Sequence, residues 1–245
     1  MRRALVAALA TAFLPPAASG SAPANGAGAM VLPPEAAYYR PVVVDDMTYP
    51  VARATWLSVI EFGDDWHAPR MRLVGGRWRQ VGVHQGHDIT AEPGTPVVAM
   101  RAGVVEQMGW TFYSGNRVGV RGSDGRYYFY AHLSAYARGV GVGDAVSAGD
   151  LLGAVGNTGY GPPGHEDEFP AHLHLGVELP SGEWVNPLPL ARRLYRRSVR
   201  HTQREEGRLA EILAEGDRAE ARRLAASLYA GISFYQEALI PPPGQ

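Results

Sequence analysis

His172 and His174 stand two residues apart in Pro170-Ala171-His172-Leu173-His174-Leu175-Gly176. In extended backbone alternate side chains share a face, so the two imidazoles emerge together while Leu173 and Leu175 enter the opposite side. Two rings on a rigid strand suit a metal ligand beside a proton-transfer group. A second stretch of this kind is His84-Gln85-Gly86-His87-Asp88. Its glycine bend lets a His84 nitrogen and an Asp88 oxygen converge on one ion at about 2.0–2.2 Å. One histidine from the His172/His174 pair would complete a set of two imidazoles and one carboxylate. Three protein ligands with a fourth position open form the pattern of a catalytic zinc site, whereas a structural site is closed by a fourth ligand. His132 ends the most aromatic strand-like run of the chain, Arg126 to Ala131, and offers a base or an oxyanion-stabilising group. No H-E-x-x-H helix supplies a glutamate base, so the histidines left after ligation must do that work.

Composition narrows the chemistry further. The 245-residue chain has no cysteine, which excludes thiolate ligands, a cysteine nucleophile and a disulfide framework together. Its formal net charge of -1 gives no basis for nucleic-acid binding. Hydrophobic residues at 46% and charged residues at 19% belong to a folded protein with a sizeable core, and 30 Gly with 19 Pro favour turns and short strands.

The elements that must hold these residues read as follows. Residues 1–20 have the charged, apolar, small-residue order of a secretory signal peptide, which places the mature protein outside the cytoplasm; left uncleaved, the segment would be a membrane anchor. Residues 21–36 read as a disordered linker and 37–78 as an irregular lead-in. Residues 79–190 form the main domain, where short β-branched runs alternate with glycine turns. Those runs are Pro96–Met100, Gly103–Glu106, Arg117–Arg121, Arg126–Ala131, Ala145–Ser147, Leu151–Val155 and His172–Leu179. They predict a mainly β, antiparallel domain, with a hairpin turn at Ser123-Asp124-Gly125. Residues 191–240 read as a C-terminal helical extension. There Asp217 and Glu220 open a helix carrying Leu224, Leu228, Tyr229 and Ile232, and the arginines between Arg192 and Arg200 make a solvated face.

His84-x-Gly86-x-Asp88, Tyr130-Ala131-His132-Leu133, Val155-Gly156-Asn157-Thr158-Gly159 and His172-Leu173-His174 follow one another in an order that resembles the lysostaphin/LytM-type zinc metallopeptidases. Those enzymes cut peptidoglycan peptides. The resemblance covers roughly 64–189. It implies a lysostaphin-like β-sandwich fold, one zinc ion held by His84, Asp88 and His174, and His172 as general base. His132 would orient the water or stabilise the tetrahedral intermediate. It implies peptidoglycan peptides as substrate, and the near-zero net charge gives no nucleic-acid partner. Two alternatives stay open: a non-hydrolytic wall-binding or regulatory module, and a carboxypeptidase whose groove is closed by the Gly161–Pro170 loop. His87, where a small residue is more usual, is expected in the groove or on the surface. Tyr113, Asn116 and Tyr160 are expected to line the cleft, and Gly156–Gly161 to form a turn at its rim. His67, His165 and His201 are assigned no chemistry.

Overall fold

The computed structural model describes residues 36–55 and 65–241. The expected signal, nearly all of the expected linker, and Trp56, Ile60 and Asp64 of the lead-in lie outside the described residues. Along the chain the strands are β1 (Ala36–Tyr39), β2 (Pro69–Val74), β3 (Arg77–Val83), β4 (His87–Thr90), β5 (Pro96–Val98), β6 (Gly103–Thr111), β7 (Gly115–Gly122) and β8 (Tyr127–Ala137). Then come β9 (Ala145–Val146), β10 (Leu151–Val155), β11 (His172–Glu178), β12 (Trp184–Val185), α1 (Leu188–Glu215), α2 (Arg218–Leu228), β13 (Tyr229–Gly231), α3 (Ile232–Gln236) and β14 (Leu239–Ile240). The described parts of Pro41–Ala52, Val59–Ser198 and Glu237–Gln245 form the larger of two compact units; those of Met1–Arg40, Arg53–Ser58 and Val199–Gln236 form the smaller.

The larger unit is built on an antiparallel sheet in the order β12-β11-β8-β7-β6-β9, to which β4 is added on β11 and β10 on β8. The mainly β, antiparallel expectation holds, and β7 and β8 are joined at Ser123-Asp124-Gly125 as read from sequence. Alternation explains which face is core. Leu173, Leu175 and Val177 of β11, Tyr128 and Tyr130 of β8, and Val118 and Val120 of β7 are all essentially inaccessible and pack in one cluster. The opposite face of the same strands carries His174, Gly176 and Glu178, paired in register with Ala131, Phe129 and Tyr127.

One hairpin was not anticipated. β2 and β3 join through Gly75 and Gly76, both in the left-handed region at φ +58° and +73°. Two consecutive positive φ values are what a tight hairpin turn of matching twist requires, so Gly-Gly between two strand-like runs was the available signal. Nearly every residue of this hairpin is exposed, Trp78 and Leu73 among them.

In the smaller unit β1 pairs with β13, and Leu209 and Ile212 of α1 pack on Ala221, Ala225 and Leu228 of α2. Asp217 caps α2 as expected, accepting from the amides of Ala219 and Glu220. The helix ends at Leu228, however, and Tyr229 opens β13 because its backbone is extended and committed to the β1 pairing. No helix among the described residues is long and apolar enough to cross a membrane.

Candidate metal centre

His174 lies directly opposite Asp88 in the β11–β4 register, so both side chains leave the sheet on one face. Their neighbours obey the same alternation: Leu173 and Ile89 pair on the core face, as do Leu175 and His87. His87 is therefore buried, at 1% exposure, not a groove or surface residue. Its Nδ1 lies 3.0 Å from Asp65 Oδ1.

His84 arrives from the short connection between β3 and β4. Its Nε2 is 3.1 Å from Asp88 Oδ1 and 2.8 Å from His174 Nδ1, and that Nδ1 is 2.9 Å from the same Asp88 oxygen. The glycine in His84-x-Gly86-x-Asp88 permits this convergence. A Cβ on Gly86 would stand 2.4 Å from His174 Cε1 and 2.7 Å from the Leu175 carbonyl. Three donor atoms of two imidazoles and a carboxylate thus share one small volume, and they are a group of the described residues able to hold a metal ion. The donor chemistry fits zinc, whose ligands are these atom types.

Asp65 supports the cluster and was missed as a functional residue in the sequence. Its Oδ2 and its own carbonyl oxygen each lie 3.0 Å from His84 Nδ1, which assigns a hydrogen to Nδ1 and turns Nε2 toward Asp88. Burial alone would push His84 down, but the hydrogen bonds to Asp65 and Asp88 outweigh it and lift the metal-free ring to about 9. Burial opposes ionisation of Asp65 and Asp88 as well, yet the histidines hold both well below the usual carboxylate range. Arg70 of β2 completes the surroundings, with Nη2 3.4 Å from Asp88 Oδ2.

His132 and His172 reach the centre by different routes. His172 lies two residues before His174 on β11, with Nδ1 2.8 Å from the Pro170 carbonyl and Nε2 3.6 Å from Asp88 Oδ1. His132 is not at the end of its strand, because β8 runs on to Ala137. Regular alternation would send it into the core beside Tyr130. Instead the register with β7 passes from Tyr130↔Val118 to Leu133↔Asn116, one residue too many on β8, and His132 takes φ +62°. This bulge re-aims the ring while Leu133 recovers the core face. His132 Nδ1 is 2.7 Å from the Thr158 carbonyl, and its ring lies 4.9 Å from that of His172. Burial, then the nearby His172 and His174, holds its pKa down to about 3, so the ring is neutral. A carbonyl only accepts, so both rings carry a hydrogen on Nδ1, and the neutral His132 presents an Nε2 lone pair.

Phe169, from the Gly161–Pro170 loop, packs edge-on against His132 at 4.7 Å and beside His172 at 5.0 Å, a contact that no sequence feature indicated. A cleft of about 670 Å³ opens over the centre, lined by the β2–β3 hairpin and by Tyr113 and Tyr160 as expected. Asn116 does not line it: it is buried, donating to the Leu133 carbonyl and accepting from Tyr136. The Gly156–Gly161 turn supplies the Thr158 carbonyl that holds His132. His165 is packed, with Nδ1 2.9 Å from the Gly159 carbonyl, and His67 stacks on Trp66. His201 lies in α1, in the segment assigned to the smaller unit.

Comparison with known proteins gives a consistent result. Residues 82–187 match the model of Peptidase family M23. Over 121 residues the chain is 42% identical to an L-Ala--D-Glu endopeptidase of Bacillus subtilis (strain 168), covering 48% of this chain and 36% of that protein. It is also 42% identical over 114 residues to lysostaphin of Staphylococcus staphylolyticus, covering 46% and 22%. The match thus spans about a third or less of these relatives. A lytM crystal structure from Ruminococcus gnavus superposes with a TM-score of 0.52 at 37% identity over 62% of each chain.

Proposed function

We propose that the Peptidase family M23 domain this chain carries over residues 82–187 is a zinc-dependent endopeptidase acting on bacterial cell-wall peptides, exported to reach them. The observation that carries this reading is the convergence of His84 Nε2, Asp88 Oδ1 and His174 Nδ1, with two further imidazoles beside it.

Those three atoms would hold the zinc ion, which when bound supplies Lewis acidity that acidifies a water and polarises a carbonyl. The remaining work falls to the chain. His172, with Nδ1 committed to Pro170, takes the proton of the attacking water at Nε2 and returns it to the leaving amine. His132 Nε2 accepts the water's other hydrogen and orients it. Of the two roles open to His132, its neutral, Nδ1-protonated form supports this one, since it has no Nε2 hydrogen to give an oxyanion. Phe169, lying against both rings, limits the access of bulk water.

Digestion of purified sacculi and cross-linked muropeptides by the zinc-loaded chain, followed by mass spectrometry, tests this reading. Internal cuts in stem or cross-link peptides are expected, with loss of zinc in Asp88→Ala. Release of only a terminal residue would make it a carboxypeptidase. Intact muropeptides despite stoichiometric zinc would remove the enzymatic reading and leave a wall-binding module.

A further inference from the structure

We infer that the substrate groove selects carboxylate-bearing stem peptides over neutral bridges, through Arg72 on one side of the metal centre and Arg117 on the other. This rests on the endopeptidase reading above and goes on to the substrate class.

His174 lines two adjoining depressions, the large cleft and a smaller pocket of about 290 Å³. A peptide crossing the centre passes from one into the other. The cleft side is built by β2, where Arg70 and Arg72 share a face because they are two residues apart in a strand. Arg70 is matched by Asp88. Arg72 is not matched by any carboxylate among the described residues; its Nη1 donates to the Tyr113 hydroxyl at 3.1 Å, which fixes its position at the cleft wall. Directly across the hairpin stands Arg79, so two like charges oppose each other on one face, an arrangement that favours a bound anion. Among the described residues, no Asp or Glu lines this cleft.

On the far side Arg117 of β7 lies over the Phe129 ring at 5.8 Å and lines the smaller pocket. It forms no ion pair among the described residues, and its buried Nε meets no acceptor. The one acid of that pocket, Glu178, lies 4.0 Å from Arg121, whose guanidinium is held by Glu106 at 2.9 Å, and makes no ion pair with Arg117. The cleft side therefore presents a guanidinium matched by no carboxylate of the described residues, and the far side one whose Nε lacks an acceptor; a carboxylate supplies the charge-assisted partner to both, which a neutral oligoglycine or a carboxamide does not.

The test uses the zinc-loaded full chain and stem-peptide substrates in free-carboxylate and carboxamide forms, with a pentaglycine peptide as the neutral bridge. The expected kcat/KM ratio of carboxylate to carboxamide is about tenfold or more, falling as salt is raised. In the Arg72→Gln/Arg117→Gln double variant the ratio approaches 1, with each single variant between. If the wild type cuts both forms equally, or the double variant keeps the preference, the inference is overturned while the endopeptidase reading stands. If nothing is cut, calorimetric binding of the same peptides decides. Tighter binding of the carboxylate form, lost in the double variant, supports the inference and removes the enzymatic reading; equal or undetectable binding overturns both.

Discussion

Asp65 meets His84 Nδ1 with two oxygens, its carboxylate Oδ2 and its own carbonyl, each at 3.0 Å. The same carboxylate accepts from the Asp88 amide at 3.2 Å and lies 3.0 Å from His87 Nδ1. One residue thus orients a proposed ligand, fixes its tautomer and ties down the strand that carries another.

Removing that support should weaken metal binding without removing a ligand. Asp65→Ala is expected to lower zinc affinity by about 10- to 100-fold, the usual effect of losing a group that holds a metal-bound histidine. Competition against a chelating dye measures it. An affinity equal to that of the wild type would show that the Asp65 carboxylate is dispensable and that the carbonyl of residue 65 alone holds His84 Nδ1.

His132 should separate catalysis from metal binding and also reveal the cost of its backbone. His132→Ala is expected to keep its zinc and lose about 10²- to 10⁴-fold in kcat, the range for a positioned proton-transfer group. The residue sits at φ +62°, where glycine is unstrained. His132→Gly should therefore be more stable than His132→Ala by about 1 kcal/mol in denaturant unfolding. Equal stability of the two variants would argue against the left-handed bulge.

Much of this was legible in the sequence, for physical reasons that also mark where it stopped. Alternation placed His172 and His174 on one strand face, and the same rule, applied through the β4 register, explains why Asp88 joins them and why His87 does not. The bulge at His132 was not legible, because one extra residue in a strand has no composition signal, and the regular reading would have buried the ring beside Tyr130. Asp65 and Phe169 act across 19 and at least 3 residues of chain from the histidines they touch, through folded contacts that spacing does not encode. The C-terminal helix was read one residue or more too long because Tyr229 fits a helical stripe but is held by β1.

Tyr128 gives a pH dependence with a definite sign. Burial, then its hydrogen bond to Asp124 Oδ2 at 2.9 Å, raises the phenol from 10.0 to about 12. A pKa raised in the folded state stabilises the protein below the unfolded value and loses that contribution as pH climbs through the folded one. The stability difference between wild type and Tyr128→Phe should therefore be full below about pH 10 and shrink between 10 and 12. Denaturant unfolding across that range checks it, and a constant difference would contradict the burial and hydrogen-bond account.

Gly86 is the position where the smallest change should have the largest effect on the centre. A methyl group there would stand 2.4 Å and 2.5 Å from two atoms of the His174 ring and 2.7 Å from the Leu175 carbonyl. The carbonyl belongs to a core strand and cannot give way, so the ring or the His84–Asp88 segment must move. Overpacking of this kind costs about 1–3 kcal/mol, and the displacement falls on the ring whose Nδ1 is proposed to bind zinc. Gly86→Ala should therefore lower both the unfolding free energy and zinc affinity. Gly207→Ala, at a helical site with nothing within 4 Å, should leave zinc affinity unchanged and stabilise α1 by about 0.5–1 kcal/mol. Metal titration and unfolding of the two variants side by side distinguish a specific clash at His174 from a general intolerance of added methyl groups. If Gly86→Ala bound zinc as the wild type does, the close approach of His174 to this loop would have no part in forming the centre.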